Sequence, residues 1–533
     1  MRPRLTASLL VLVWSASAPA ATYYVAKTGS AAATCTAAQN KSTPKQSIVD
    51  AIPCLKAGDT LYIRAGVYAE AINEFYVKVP SGTSWNTAVT IAGYPGEEVT
   101  LRPNPPTTEV LRIMGPTGGT HHVVFDNLIL DAVNAAKGNV IKLTYTGSNK
   151  ANAAHHIRIS NSELMNAKSQ GILAYDGTHH EFINLKVHDN GDTRFDHGIY
   201  IAAHNSLIEG CEFYRNSGWG IHKYPQGDNL VIRNNRVHDN DRVGDGGPGI
   251  GIYGGKGNLV YNNLVWGNST GIVARYGETG AKIYANTVYG NKGPGIENGA
   301  SSSSAMIRNN IVFANDADIT NDGSASISQN ACAKPAAGCV VTGDPGLVAP
   351  SAKPPNFHLK ATSPVIDEGA NLASEGVTTD FDGVPRPKGA GFDIGAFEYC
   401  ASGCGGAGGS GGAGGIGGSG GAAGTGTGGV AGAAGSAGAA GTGTGGVAGA
   451  AGAAGAAGAA GTAAGGSGGN ADAGAAGGTG GSGGAAGATA DDSSGCGCRT
   501  AAGVSFGASR YLLGILAMVA AWGLGVRRKW RTR

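Results

Sequence analysis

The 533-residue chain is short of charge. Asp, Glu, Lys and Arg make up 14% of it, and the formal net charge is +2. So even a balance excludes the basic field on which non-specific nucleic-acid binding rests, and no nucleic-acid partner is expected. Leucines at fixed offsets are missing, as is any sustained helical periodicity. A leucine-rich repeat is thereby excluded. From about Ala401 to Ser494 the chain lacks almost everything except Gly, Ala, Ser and Thr. It has no strict three-residue Gly register and almost no Pro there, which excludes collagen. A stretch this poor in large side chains cannot offset its ordering entropy, so residues 401–495 read as a flexible linker.

The ends carry targeting patterns. Arg2 and Arg4 precede an apolar run, Leu9–Trp14, and small residues ending in Ala18-Pro19-Ala20. This is the three-part shape of a secretory signal peptide over residues 1–20. Export permits disulfides, and Cys35 with Cys54, Cys332 with Cys339, and Cys400 with Cys404 are plausible local pairs. Cys211 sits where other copies of a repeat carry Asn, and reads as a buried free thiol. At the other end, 496–533 hold Cys496, Cys498, an apolar run from Tyr511 to Val526 and a basic cluster. The run is short for a membrane span, and the basic flank resembles a stop-transfer signal. Taken together, the three parts resemble the MYXO-CTERM type of sorting signal. That resemblance implies processing near Cys496 and Cys498 and a location on the outer cell envelope.

Between the ends one phrase keeps returning. VIRNNRVHDN (Val231–Asn240) is followed by LVYNNLVWGN, KIYANTVYGN and MIRNNIVFAN, and preceded by weaker copies such as IRISNSELMN (Ile157–Asn166). Its last residue recurs at Asn166, Asn190, Asn216, Asn240, Asn268, Asn291 and Asn315, every 23 to 28 residues. A fixed period of this size means a solenoid. Short alternating apolar runs, Gly and Asn at the corners, and a recurring Gly-Ile predict an all-β parallel β-helix of about 24 residues per coil. Asn235, Asn263, Asn286 and Asn310, with Asn161 earlier, form one column. They read as structural: Asn tolerates left-handed corners, and its amide bonds to the coils on either side.

Over Tyr23–Asn315 the chain resembles the right-handed, pectate-lyase-like parallel β-helix proteins. TYYVAKTGS and AGDTLYIRAGVYAEAI resemble the opening of many secreted members, some of them polyuronate lyases. The organisation expected is an N-terminal cap with first coils over 21–115, repeats over 116–330 and a C-terminal cap over 331–400. The cap, with SPVIDEGAN, DFDGVPRP and FDIGAFEY, resembles the choice-of-anchor Q region, and its expected role is to close the open end of the solenoid. A monomer is expected.

Function in a solenoid lies where the repeat is broken. Two corners are long: Gly191–His197 and Asp241–Pro248. They should rise as walls on either side of the low coil Ser217-Gly218-Trp219 and frame a groove. Phasing from the inward Ile172, Ile199, Ile221, Ile250 and Ile272 places two columns outward. One holds Leu173, Tyr200, His222, Gly251, Val273 and Glu297; the other Tyr175, Ala202, Tyr224, Tyr253, Arg275 and Gly299. Lys223 falls in the inward phase, where an unpaired charge is expensive, so either the strand bends or Lys223 escapes at an edge.

Rings and cations on a flat face suit an acidic polysaccharide, although exposed Tyr also simply stabilises strands. Tyr200, Trp219, Tyr253, Arg194, Arg242 and Glu297 are the expected contacts. Asp192, Asp196, Asp241 and Asp245 could hold Ca²⁺, and ordinary turn chemistry explains them too. β-Elimination from a uronate needs a neutralised carboxylate, a base, and an acid for the leaving oxygen. Lys223 or Arg275 would supply the first two, His222 and Tyr224 the rest, and Lys223→Ala should impair function with the fold intact. A polysaccharide lyase is therefore expected. A non-catalytic adhesin is the alternative, and a glycoside hydrolase the second, weakened because the face offers only one carboxylate, Glu297.

Overall fold

A computed structural model describes residues 19–224, 227–244 and 246–401. Most of the leader, the linker, the tail with its sorting motif, Cys404 and Asp245 lie outside the described residues. No helix among the described residues is long and apolar enough to cross a membrane.

Three parallel sheets of twelve, ten and twelve strands run the length of the folded region. The chain visits them in turn, and each strand pairs with its counterpart one coil away. Sheet one runs from Thr22–Ser30 to Ala325–Ser328, sheet two from Ile72–Asn73 to Ala317–Asn321, and sheet three from Gly66–Tyr68 to Cys339–Thr342. Most strands are three residues long, with the middle or outer positions alternating in burial. Ile172, Ile199, Ile221, Ile250, Ile272 and Ile296 stack inward in one unbroken register and are fully buried. Each contributes roughly 1.5–3 kcal/mol of apolar burial. The Gly before each Ile has a steric cause: a Cβ on Gly198 would lie 2.6 Å from the Gly220 carbonyl oxygen on the next coil and 2.9 Å from the Asn216 amide.

The Asn columns are hydrogen-bond ladders inside the corners. Asn235, Asn263, Asn286, Asn310 and Asn330 are fully buried. In each step the Nδ2 of one Asn donates to the Oδ1 of the next. A second ladder runs through Asn190, Asn216, Asn240, Asn268, Asn291 and Asn315. The left-handed conformation belongs to the neighbouring column, at Asn161, Asn184, Asn234, Asn262 and Asn309. The expectation that one Asn both turns the corner and bonds across coils is thus divided between two adjacent residues. Asn161 is corrected with it. Arg158 pairs with Glu181, and through Leu207 with Val231, so Asn161 aligns with Asn234. Asn166 is likewise one position early: Ala167 takes the ladder place and donates its N–H to Asn190 Oδ1. Cys211 replaces Asn in the first ladder. Its thiol is buried and free, as expected, accepting from the Leu185 N–H and donating to the Phe182 carbonyl.

Disulfides join Cys35 to Cys54 and Cys332 to Cys339. The first ties down short helices, Cys35–Ala38 and Ile48–Ala51, beside the first strand. The C-terminal region departs from expectation. Sheet three continues to Thr342, so a boundary at 331 falls within the last coil. The residues after it lie along a flank of the solenoid. Phe357, Val365, Ile394 and Phe397 pack on Leu264, Ile311, Trp266 and Tyr289 from sheet three. Asn262 and Asn309 donate to the Thr379 and Ala370 carbonyls, and Arg386, ion-paired with Glu398 and fully buried, reaches Asn262. The reason is apolar: the outward column of sheet three is Trp266, Tyr289 and Phe313 here, and rings of that size need cover.

Candidate functional site

The outward columns of sheet two are in the expected register. Leu173, Tyr200, His222, Gly251, Val273 and Glu297 follow one another on successive coils, and Tyr253 pairs with Arg275. Tyr200, Trp219, His222, Tyr224 and Tyr253 form one aromatic cluster with His197 and Tyr276. Trp219 lies 3.7 Å from the His222 ring, centre to centre. It fits because Gly251 leaves its place in the column empty. A Cβ there would come within 2.6 Å of the indole.

Hydrogen bonds assign the histidine tautomers. The Trp219 N–H donates to His197 Nδ1, so the proton of neutral His197 sits on Nε2. That Nε2 is 2.9 Å from His222 Nδ1, which must accept, leaving the His222 proton on its own Nε2. His222 Nε2 is buried and has no partner. Burial pushes the His197 pKa down to about 3 and holds His222 well below the usual imidazole range. Both are neutral at ordinary pH. His222 therefore offers an uncharged N–H donor and is no proton acceptor at Nε2.

The long corners do not stand apart as two walls. Arg242 Nη2 donates to the Gly191 carbonyl and to Ser217 Oγ, strapping the second loop across the low coil to the first. Trp219 fills the space between. Arg242 is thus a structural strap between the two loops, and it remains exposed. The aspartates serve the loops. Asp196 accepts from the Asp192 and Thr193 N–H groups, the Thr193 hydroxyl and Ser169 Oγ. Asp241 accepts from Ser269 Oγ and the Gly246 N–H. Among the described residues no three His, Cys, Asp or Glu side chains are grouped as a metal would require. Both Asp196 oxygens and Asp241 Oδ2 thus accept bonds from their own corners. Asp245 lies outside the described residues. Arg194 lies over the Phe195 ring.

Lys223 corrects the expectation most sharply. The strand does not bend and the side chain does not escape. Its ammonium is fully buried, 3.2 Å from the equally buried Glu278 carboxylate, and donates to the Tyr253 carbonyl. Burial lowers the Lys223 pKa against the pull of Glu278, and burial raises that of Glu278 against Lys223 and Asn258. Lys223 never reaches the face and is not a catalytic candidate. Arg275 does reach it, ion-paired with Glu297 and half-exposed. Burial opposes its charge, and Glu297 with Tyr253 more than restores it.

Sequence reasoning missed several residues. Phe195 and Tyr276 expose large rings at the borders of the cluster. The outward column also extends toward the N-terminus through Lys142 and Arg112. The signal was there, as the apolar–cation–apolar triplets Leu111-Arg112-Ile113 and Ile141-Lys142-Leu143. Those strands lack the Gly-Ile marker that aligned the others. A separate groove of about 440 Å³ lies at the corner between sheets one and three, lined by Asn127, Asn161, Asn184 and Glu163 among others, away from this face.

A family model described as a right handed beta helix region matches residues 146–244 and 195–332. Pectate lyase Pel9A superposes with a TM-score of 0.55 at 16% identity, covering 72% of this chain and 97% of that one. The fold is a right-handed parallel β-helix. Two further structures lie below a TM-score of 0.5. A xylose complex of XylC scores 0.47 at 11% identity, covering 70% of this chain and 98% of that one. A rhamnogalacturonan lyase scores 0.43 at 14%, covering 60% and 83%. No curated protein matches the chain. At these identities the likeness establishes the β-helix and leaves the chemistry to the residues.

Proposed function

We propose that this β-helix binds an acidic polysaccharide along sheet two and cleaves uronate linkages by β-elimination. The observation that carries the reading is the register of the outward columns. Tyr200, His222, Tyr253 and Arg275 occupy four successive coils of one parallel sheet, with Tyr224 on the coil of His222. Tyr253 and His222 are buried beneath the face, while the partly exposed rings of Tyr200, Trp219 and Tyr224 can stack on sugar faces and the guanidinium can meet a carboxylate. Pel9A, which shares the fold, is by its name a pectate lyase, and this supports the choice of substrate class. With Lys223 buried, the roles shift. Arg275 would neutralise the substrate carboxylate, exchanging part of its bond to Glu297. Tyr224, which is partly exposed beside His222, would carry the proton from the sugar carbon to the leaving oxygen.

The test is ultraviolet absorbance from unsaturated uronate product across a panel of acidic polysaccharides. Arg275→Ala should cut turnover about a hundredfold, the loss of one transition-state contact worth about 3 kcal/mol. Arg275→Ala/Glu297→Ala removes the carboxylate that the single change strands and should show the same loss. Binding without turnover in the unmodified protein would make it an adhesin. Unchanged turnover in both variants would remove Arg275 from the mechanism.

The location follows from sequence alone. We propose export through 1–20 and retention at the cell surface through the tail. Deleting Tyr511–Arg533 should release the protein into the medium, and a truncated form that stays with cells would refute the anchor.

A further inference from the structure

The face does not end where the aromatic cluster ends. From Arg112 to Glu297 one outward column crosses eight coils in unbroken register, through Lys142, Leu173, Tyr200, His222, Gly251 and Val273. At neighbouring-strand spacing that is about 34 Å. Its two ends differ in charge. At the C-terminal end Arg275 is neutralised by Glu297. At the N-terminal end two cations, Arg112 and Lys142, sit on adjacent coils with one ion pair between them, that of Arg112 with Glu109.

Arg112 is ion-paired with Glu109 at 3.4 Å through Nη1, and Glu109 also accepts from Thr108 Oγ1. The Arg112 Nε is buried and has no partner. Lys142 forms no hydrogen bond or ion pair among the described residues. Burial and then the nearby Arg112 disfavour its charge, and Glu109 favours it without forming a bond to it. Glu74, the other acid in reach, is saturated by the Met114, Gly115 and Val79 N–H groups and the Thr120 hydroxyl. Arg112 also lies 4.3 Å over the Phe75 ring, and Phe75 and Tyr76 are 59% and 87% exposed. The unpaired Lys142 and the partnerless Arg112 Nε beside exposed rings, in line with an aromatic face, repeat the recognition chemistry of that face.

We propose that Arg112 and Lys142 form a carboxylate-binding subsite at the N-terminal end of sheet two, which engages the same glycan chain running along the solenoid axis. This rests on the reading of sheet two as a glycan face and deepens it. The occupant is a polymer with a carboxylate on its sugars, long enough to reach from the aromatic cluster to Arg112. A neutral polymer would gain nothing from the subsite.

The experiment is calorimetric titration of the full chain with oligouronides and with the same oligomers after carboxyl reduction. The unmodified protein should bind the acidic oligomers at least tenfold tighter. Arg112→Gln/Lys142→Gln should remove the larger part of that preference, Arg275 keeping the rest, while leaving affinity for the reduced oligomers unchanged. Lys142→Arg, which keeps the charge, should retain most of it. Equal affinities of the double variant and the unmodified protein for acidic oligomers would overturn the subsite and leave the glycan face standing. Failure of the unmodified protein to bind either oligomer would overturn both.

Discussion

Replacing Glu278 by Gln is expected to lower the unfolding free energy by about 3–5 kcal/mol, among the largest losses a single change can cause here. Gln keeps the shape and still offers an oxygen to Asn258, which donates to Glu278 at 2.7 Å. What it removes is the countercharge of Lys223. The ammonium is fully buried, and among the described residues it would keep a bond to the Tyr253 carbonyl at 3.4 Å and the weaker pull of Asp228. A buried charge without a partner is costly because the desolvation already incurred is no longer offset. Lys223→Met/Glu278→Gln should recover most of the loss, since the stranded charge goes too. Equilibrium urea unfolding of the three proteins decides it. A single-variant loss under about 1 kcal/mol would show that the pair is neutral in the fold. The same logic reverses the expectation that Lys223→Ala spares the fold: that change strands Glu278.

The second large effect concerns the ladder. The Asn263 side chain makes five hydrogen bonds: it donates to the Ile232 and Tyr261 carbonyls and Asn286 Oδ1, and accepts from the Asn235 backbone N–H and amide. Asn263→Leu has nearly the same volume and makes none of them. At least the Asn235 N–H and the Ile232 carbonyl lose a buried partner, at about 1–3 kcal/mol each, so a loss of about 4 kcal/mol is expected. Because each coil contacts only its neighbours, the damage should appear as lost amide-exchange protection in the coils around Asn235 and Asn286. Asn263→Cys should cost clearly less, since Cys211 already serves the same column as weak donor and acceptor. Equal losses for Leu and Cys would mean that packing, and not the hydrogen bonds, sets the requirement.

Both predictions separate what was legible in the chain from what was not. The solenoid was legible because its determinants are local and periodic. Alternation within a strand places Ile172 and Ile199 inward, Gly-Ile marks a close approach between coils, and Asn recurs at each corner. Repetition averages out errors of one residue, so the inward stack emerged correctly although the copy ending at Asn166 was read one place early. The outward columns of sheet two followed from the same phase. Other features depended on partners far apart in sequence. Glu278 lies 55 residues beyond Lys223 and carries no repeat signature, so nothing local announced that a buried lysine would have an acid to meet. Arg242 reaches 51 residues back to Gly191, and that strap turned an expected groove into a closed corner. The C-terminal residues looked like an end cap because solenoid ends need covering. The exposed rings of sheet three gave them a larger apolar surface along the flank. The sequence by itself determined the coil, its period and which side chains face in or out, because these are set by nearest neighbours. Only the tertiary structure decided which charges are paired, which loops are tied, and where the face keeps an unpaired cation. Those depend on distances between coils that no local pattern records.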